Sequence, residues 1–367
     1  MTAGTTATDP AAAVTAADGH PLVVRVREYA ETVLRPAALR TDRDGVPARR
    51  ISELAALGLL NHTAPVEFGG AGIDRNTDRR LHEIISGACF NTWLIWAQHA
   101  PMAGRIAESR TPDTVLPELA ERVLRGEVLL GAGVSDVRRY PEHYLRARRS
   151  VGGWTFDGTI SWVSGWGLHA ALALAAVDPE TETVVTALVP VGERITSAGP
   201  LPLSAVTGSR TARVRIDQVF VPDSHVLLTH SLERSRHLDI GVASDARGHH
   251  FGLAETVLTE LEHTESAREV ARAWRPRVAE IRSTAYALAD ESVARGGGDH
   301  RLAERLAAKV ASGEALSVLT RALLIARAGR GLGTDDTAQL HARSALFVLV
   351  QGQTTDVRRA QLARLAR

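Results

Sequence analysis

The feature that most constrains this chain is a double change of hydrophobic period. From Pro21 to about Glu127, apolar residues recur at threes and fours: Leu22, Val26, Tyr29 and Val33, then Ile51, Leu54, Leu57 and Leu60. That spacing lines one face of a helix. Between Leu129 and about Leu228 the period becomes two, as in strands whose side chains alternate between faces. Helical spacing returns after about Leu238, through Leu253, Val257, Leu258 and Leu261, then Val278, Ile281, Ala285 and Leu288. The order helix, strand, helix predicts an α+β chain in three parts: a helical domain over 21–128, a β domain over 129–230 and a helical domain over 231–367. Residues 1–20, rich in Ala, Thr, Gly and Asp without apolar period, are expected to form a mobile tail.

Local signals refine this frame. The glycines and proline of 62–72 suit a loop, and 77–106 reads as one long helix, apolar nearly all round and therefore buried. A short helix should end at Gly126. Trp154 and Phe156, the pair Asp157-Gly158, then Ile160 and Trp162 predict a hairpin, since Asp-Gly tolerates the positive φ of a tight turn. Further strands are expected at 170–177, 184–189 and 212–221. Beyond the triple glycine 296–298, a long helix should run from Leu302 through Leu323 to Gly329, and a final helix should carry Leu346, Val350, Val357, Leu362 and Leu365.

Charge and cysteine content narrow the function. The 43 basic and 42 acidic residues nearly cancel, so no long-range field favours nucleic acid or an anionic membrane. No stretch approaches the ~20 apolar residues of a membrane span, and the N-terminus lacks the order of a signal peptide, so a cytoplasmic location is expected. Cys89 is the single cysteine, which excludes an internal disulfide and multi-cysteine zinc sites. His249 and His250 should point apart on a helix, so no metal site is expected. Lys309 is the single lysine, a bias read as compositional.

The string SWVSG, 161–165, is the first with chemical content. Trp162 and Ser164, two apart on a predicted strand, would present an indole plate and a hydroxyl on one face. The pair suits a planar heterocycle with a polar edge, such as a flavin; the competing reading is a core tryptophan.

From Ile51 to Arg367 the sequence resembles the acyl-CoA dehydrogenase superfamily. The strings PVEFGGAG at 65–72, GAGVSD at 131–136, SWVSG at 161–165, VRIDQVFVPDSHVL at 214–227, AGRGLG at 328–333 and QGQTTDVRRAQL at 351–362 occur in that family's order. The resemblance implies an N-terminal helical domain, a central β barrel and a C-terminal four-helix bundle, with FAD between barrel and bundle in a homodimer or homotetramer. It implies that Ser135 and Ser164 hydrogen-bond the flavin ring, that Trp162 covers it, and that Arg343 and Thr354 belong to the cofactor-binding set. For the serines, the tryptophan and the threonine the plain alternatives are turn serines, a core tryptophan and a helix cap.

The departures concern the reaction. The resemblance places the family's proton-abstracting glutamate at Gly352, which has no side chain to accept a proton. Asp239 and Asp245 are available to substitute, the plain alternative being solvated loop carboxylates, and His99, in NTWLIWAQH, is a further acid–base candidate, the plain alternative being a satisfied core histidine. The family's Arg and Phe-Gly string that grips the FAD pyrophosphate has no counterpart between Glu260 and Pro276, where Arg268, Arg272 and Arg275 are the available cations. Ile325 occupies the place of the expected glutamine. The expected activity is FAD-dependent oxidation of an acyl thioester, CoA- or carrier-protein-bound, or of a related small metabolite. The alternatives are a reduced-flavin monooxygenase on the same fold and a non-catalytic scaffold.

Overall fold

A computed structural model describes residues 16–109 and 116–367. The tail expected over 1–20 lies outside the described residues as far as 15. Residues 16–19 are already helical, and Asp18 pairs with Arg27 and with Arg80. The N-terminal helices are α1 (Pro21–Tyr29), α2 (Arg35–Asp44), α3 (Arg49–Ala56), α4 (Arg75–Ala88), α5 (Phe90–His99), α6 (Met102–Glu108) and α7 (Glu118–Leu124). The single helix expected over 77–106 is therefore three. Cys89 adopts extended backbone (φ −153°, ψ 101°), which ends α4 and starts α5, and Pro101 precedes α6. Burial was read correctly: Trp93, Leu94, Ile95 and Trp96 are all nearly inaccessible.

The middle of the chain is one eight-stranded sheet. Its strands are β1 (Leu130–Gly133), β2 (Arg146–Ser150), β3 (Gly153–Val163), β4 (Ala171–Asp178), β5 (Thr183–Pro190), β6 (Ile195–Thr196), β7 (Ala212–Pro222) and β8 (Val226–Ser231). They pair in the order β6-β7-β3-β2-β4-β5-β8, with β1 parallel to β4. Phe156, Ile160, Leu172, Leu174, Val185, Val189, Val214 and Ile216, from both halves of that order, share one core, which gives the sheet its barrel-like curl. The expected turn at Asp157-Gly158 does not exist. The β2–β3 hairpin turns at Val151-Gly152, where Gly152 takes φ +75°, and Gly158 (φ +138°) instead sits at a β-bulge against β7.

The C-terminal part holds α8 (Leu232–Ala243), α9 (Gly248–Glu262), α10 (Arg268–Ala294), α11 (Leu302–Arg327), α12 (Thr337–Val350) and α13 (Thr355–Leu365). Helices α9 to α12 form the bundle. The expected final helix is split at 351–354, where Gly352 takes the left-handed φ of +64°. One apolar core runs from Leu22 and Leu54 through Trp93 and Trp96 to Leu253, Leu316 and Leu323, so N-terminal helices and bundle are packed as one body. The contact is closest between α4 and α9. A Cβ on Gly248 would meet the Arg79 carbonyl at 2.8 Å, one on Gly87 would meet the Gly252 carbonyl at 2.7 Å, and one on Gly252 would overlap the Glu83 carbonyl. No helix among the described residues is long and apolar enough to cross a membrane.

Candidate active site

The strings GAGVSD, SWVSG and QGQTTD meet through one chain of contacts. Ser135, half-buried, opens the 3-10 turn Ser135–Arg139 just after β1. From this turn the Asp136 carboxylate accepts the Ser161 backbone N–H at 2.7 Å, and Arg139 donates to the Ser161 hydroxyl at 3.2 Å. His143 Nε2 lies 2.9 Å from that hydroxyl. The turn is thereby tied to the end of β3. Arg138 reaches the other way, with two 2.6 Å bonds to Asp239 of α8. Helix α8 ends at Ala243, whose carbonyl accepts from Lys309 Nζ of α11 at 2.5 Å. A Cβ built on Gly352 would lie 3.9 Å from that same nitrogen.

Near Lys309 the protein gathers cations. Arg105 and Arg247 keep exposed surface, yet burial lowers both guanidinium pKa values. Arg247 is within electrostatic range of Arg75, Arg105, Asp78, Asp245 and Lys309. Along α4, burial pushes the Asp78 carboxyl up, but His82, His62 and Arg247 together bring it down to about 2. Burial holds His82 at about 4, and its Nδ1 accepts the Trp93 indole N–H at 3.0 Å. His249 stacks on Trp93 with ring centroids 4.2 Å apart. His249 and His250 do not point apart: their rings lie 4.2 Å from each other at the start of α9. Burial keeps both neutral, and no metal-holding group of side chains occurs among the described residues.

The expected site residues fare unequally. Trp162 is 43% exposed, whereas Ser164 is buried, its hydroxyl 2.8 Å from Thr211 and through it linked to Ser209. They do not share a face. A register shift between Ile160 and Val163 lets those two residues, three apart, both enter the core, which breaks the alternation assumed for SWVSG. Thr354 is the N-cap of α13, accepting the Val357 N–H at 3.2 Å. Arg343 pairs with buried Asp42 at 2.7 Å and donates to the Ser204 carbonyl.

Both proposed bases are engaged elsewhere. Asp245 is paired at 2.7 Å with Arg305, a residue only 1% exposed. Asp239 is held by Arg138. His99 is fully buried, Nε2 on the Leu60 carbonyl at 2.6 Å and Nδ1 accepting the Leu130 N–H at 3.0 Å. Burial lowers its pKa to about 4, so the neutral Nε2–H imidazole staples α5 to β1 and has no nitrogen left for substrate.

The residues fit the ring end of a flavin better than its phosphate end. Trp162 offers an accessible indole. Ser244 Oγ, His249 Nε2, Gln351 Oε1 and Gln353 Oε1 are buried polar atoms without a hydrogen-bond partner among the described residues, as a polar ligand would leave them when removed. At the phosphate end, Arg275 is bound to Glu255 and Glu262, Arg272 to Glu269, and Arg268 to the Glu262 carbonyl. A cavity of about 360 Å³ lined by Arg40, Arg49, Arg50 and Arg210 lies apart and shares no residue with this network. Sequence reasoning missed Arg105, Arg247 and Lys309; only Lys309 carried a signal, as a charged residue in register with an apolar stripe.

Comparison with known proteins agrees with this geometry. Residues 19–121 match the model of the acyl-CoA dehydrogenase N-terminal domain. Human mitochondrial short-chain specific acyl-CoA dehydrogenase is 23% identical over 94% of this chain and 89% of its own length. Among solved structures, butyryl-CoA dehydrogenase from Megasphaera elsdenii superposes with a TM-score of 0.78 at 15% identity, over 99% of this chain and 100% of that one. A dibenzothiophene monooxygenase from Paenibacillus sp. A11-2 gives 0.77 at 16%, over 94% and 97%. Residues 19–121 thus carry the signature of an acyl-CoA dehydrogenase N-terminal domain, and the chain as a whole has the acyl-CoA dehydrogenase fold.

Proposed function

We propose that this chain is an FAD-dependent oxidoreductase acting on a small acyl thioester, CoA- or carrier-protein-bound, or on a similarly activated metabolite. The supporting observation is the series of contacts that links the Ser135 turn, the end of β3, helix α8, Lys309 and the Gly352 loop. A bound flavin would supply the two-electron acceptor. Trp162 would cover one face of the ring, with Ser135 at its polar edge and Thr354 at the start of α13, while Ser164 is engaged with Thr211. Arg247 and Arg105 would hold and polarise an electron-rich substrate oxygen, since cations in a water-poor site act more strongly than in bulk solvent.

The test is reconstitution. Wild-type protein mixed with FAD should acquire the flavin absorption near ~450 nm, and Trp162→Ala should lower occupancy several-fold at unchanged helix content. A protein that stays colourless supports the scaffold alternative; equal occupancy in the variant removes Trp162 from the site. The engagement of Asp245 and His99 and the bare Gly352 favour a second reading, a reduced-flavin monooxygenase, which requires no base at the substrate's α carbon. Anaerobic bleaching by thioesters selects the dehydrogenase; oxygen consumption by reduced flavin without bleaching selects the monooxygenase.

Self-association is part of the same reading. Ile325, Leu346, Val350, Leu362 and Leu365 leave apolar side chains 58–77% exposed on α11 to α13. Sedimentation should give a dimer or tetramer, and Leu346→Glu with Val350→Glu, one turn apart on α12, should shift it toward monomer. A monomeric wild type ends this part of the proposal.

A further inference from the structure

We propose that Lys309 is the proton acceptor of this site, supplied by α11 at the place where the Gly352 backbone carries no side chain. The inference rests on the oxidoreductase reading above. Lys309 is the only lysine of 367 residues, and it is 7% exposed, against the usual tendency of lysine to extend its ammonium to water. One of its three N–H directions is taken, by the Ala243 carbonyl; among the described residues it has no other hydrogen-bond partner and no ion pair. Gly352 stands 3.9 Å from its nitrogen, measured to the position of a Cβ.

The surroundings withhold a counterion. Helix α8 presents Asp239, which is bound to Arg138 of the Ser135–Arg139 turn. The link to α9 presents Asp245, which is bound to Arg305 of α11 itself, and Arg247, a cation. Helix α9 presents His249 and His250, both neutral. A buried ammonium facing two arginines and two already paired carboxylates is disfavoured relative to the free amine. Burial, then Arg247 and Arg138, lower the amine to about 8 against the pull of Asp245 and Asp239. About a tenth of the group is therefore unprotonated at pH 7 and about half near pH 8, far more than for an ordinary lysine.

The step balances as follows. The proton of the substrate's α C–H bond passes to the Nζ lone pair. The electron pair of that bond would form the new carbon–carbon double bond, and a bound oxidised flavin would supply the acceptor for the hydride released from the β carbon. Lys309 becomes an ammonium and returns its proton to water before the next turnover.

Two measurements test the proposal. In FAD-loaded protein, Lys309→Met should leave flavin absorption intact and slow anaerobic bleaching by a thioester by about 10²–10⁴-fold. Gly352→Glu introduced into that variant should recover part of the rate. Bleaching at the wild-type rate by Lys309→Met overturns the proposal. The second measurement needs neither flavin nor substrate: competitive acetylation with acetic anhydride, read by mass spectrometry, reports a single side-chain amine in this chain. A labelling midpoint near 8 is expected. A midpoint near that of an ordinary lysine, or no labelling at any pH, overturns it, the latter because no substrate could then reach the nitrogen. Wild-type protein that binds FAD but is bleached by no thioester defeats the dehydrogenase reading instead, and the acetylation midpoint still decides whether Lys309 is a reachable, easily deprotonated amine.

Discussion

Arg305→Leu is expected to destabilise the fold by roughly 3–5 kcal/mol, the range for breaking a buried ion pair by removing one partner. Arg305 is 1% exposed, and its guanidinium serves four acceptors: Asp245 at 2.7 Å, the Gly298 carbonyl at 2.8 Å, the His300 carbonyl at 3.3 Å and the Gly241 carbonyl. Leucine would leave a nearly buried carboxylate without its cation and strand three carbonyls at the junction of α8, the triple-glycine loop and α11. Asp245→Asn keeps one oxygen acceptor and should cost less, about 1.5–3 kcal/mol, the worth of a charged hydrogen bond. Urea denaturation at pH 7 checks both. An Asp245→Asn protein of wild-type stability but without turnover would return Asp245 to the role of base.

Gly252→Ala should have an effect of similar size from one added methyl group. The new Cβ would overlap the Glu83 carbonyl of α4 and lie 2.5 Å from Ser86 Oγ, so the obstacle is mainly backbone and cannot rotate aside. Overpacking of this kind costs about 1–3 kcal/mol where side chains can give way, and more where they cannot. Separation of α4 from α9 would also strain the buried Glu83 carboxylate, which is gripped by Arg80, Arg282 and Tyr286. A lowered melting temperature with intact helix content at 20 °C is expected; a wild-type melting curve would show that the crossing is looser than its geometry.

Much of this was legible in the sequence because hydrophobic period reports directly on burial. The helix–strand–helix order, strands β4, β5 and β7, and helix α11 follow from it within a residue or a few. What escaped depended on partners distant along the chain. Nothing around Cys89 announces a break between α4 and α5. Asp157-Gly158 carries a turn signal as good as that of Val151-Gly152, but pairing with β7 turns it into a bulge. The reading of His99 as a satisfied core histidine holds, although its partners, Leu60 and Leu130, could not be named because they belong to other elements; the partner of Asp245, Arg305, is 60 residues further on. Lys309 was the readable exception. Arg305, Lys309, Ser312, Leu316, Leu319 and Leu323 fall at threes and fours on the buried face of α11, so a lone lysine in that stripe already marked an unusual amine.

The glycine crossing of α4 and α9 also limits how the helices can move. Two helices whose backbones touch cannot slide or tilt without losing the whole shared core, so the N-terminal helices and the bundle move as a single rigid body. On the sheet side, the Ser135 turn is tied to α8 both by the Arg138–Asp239 pair and by the apolar cluster that Val137 and Leu232 share. Salt and competing anions reach the ion pair, so its share of that tie should weaken with ionic strength while the apolar share does not.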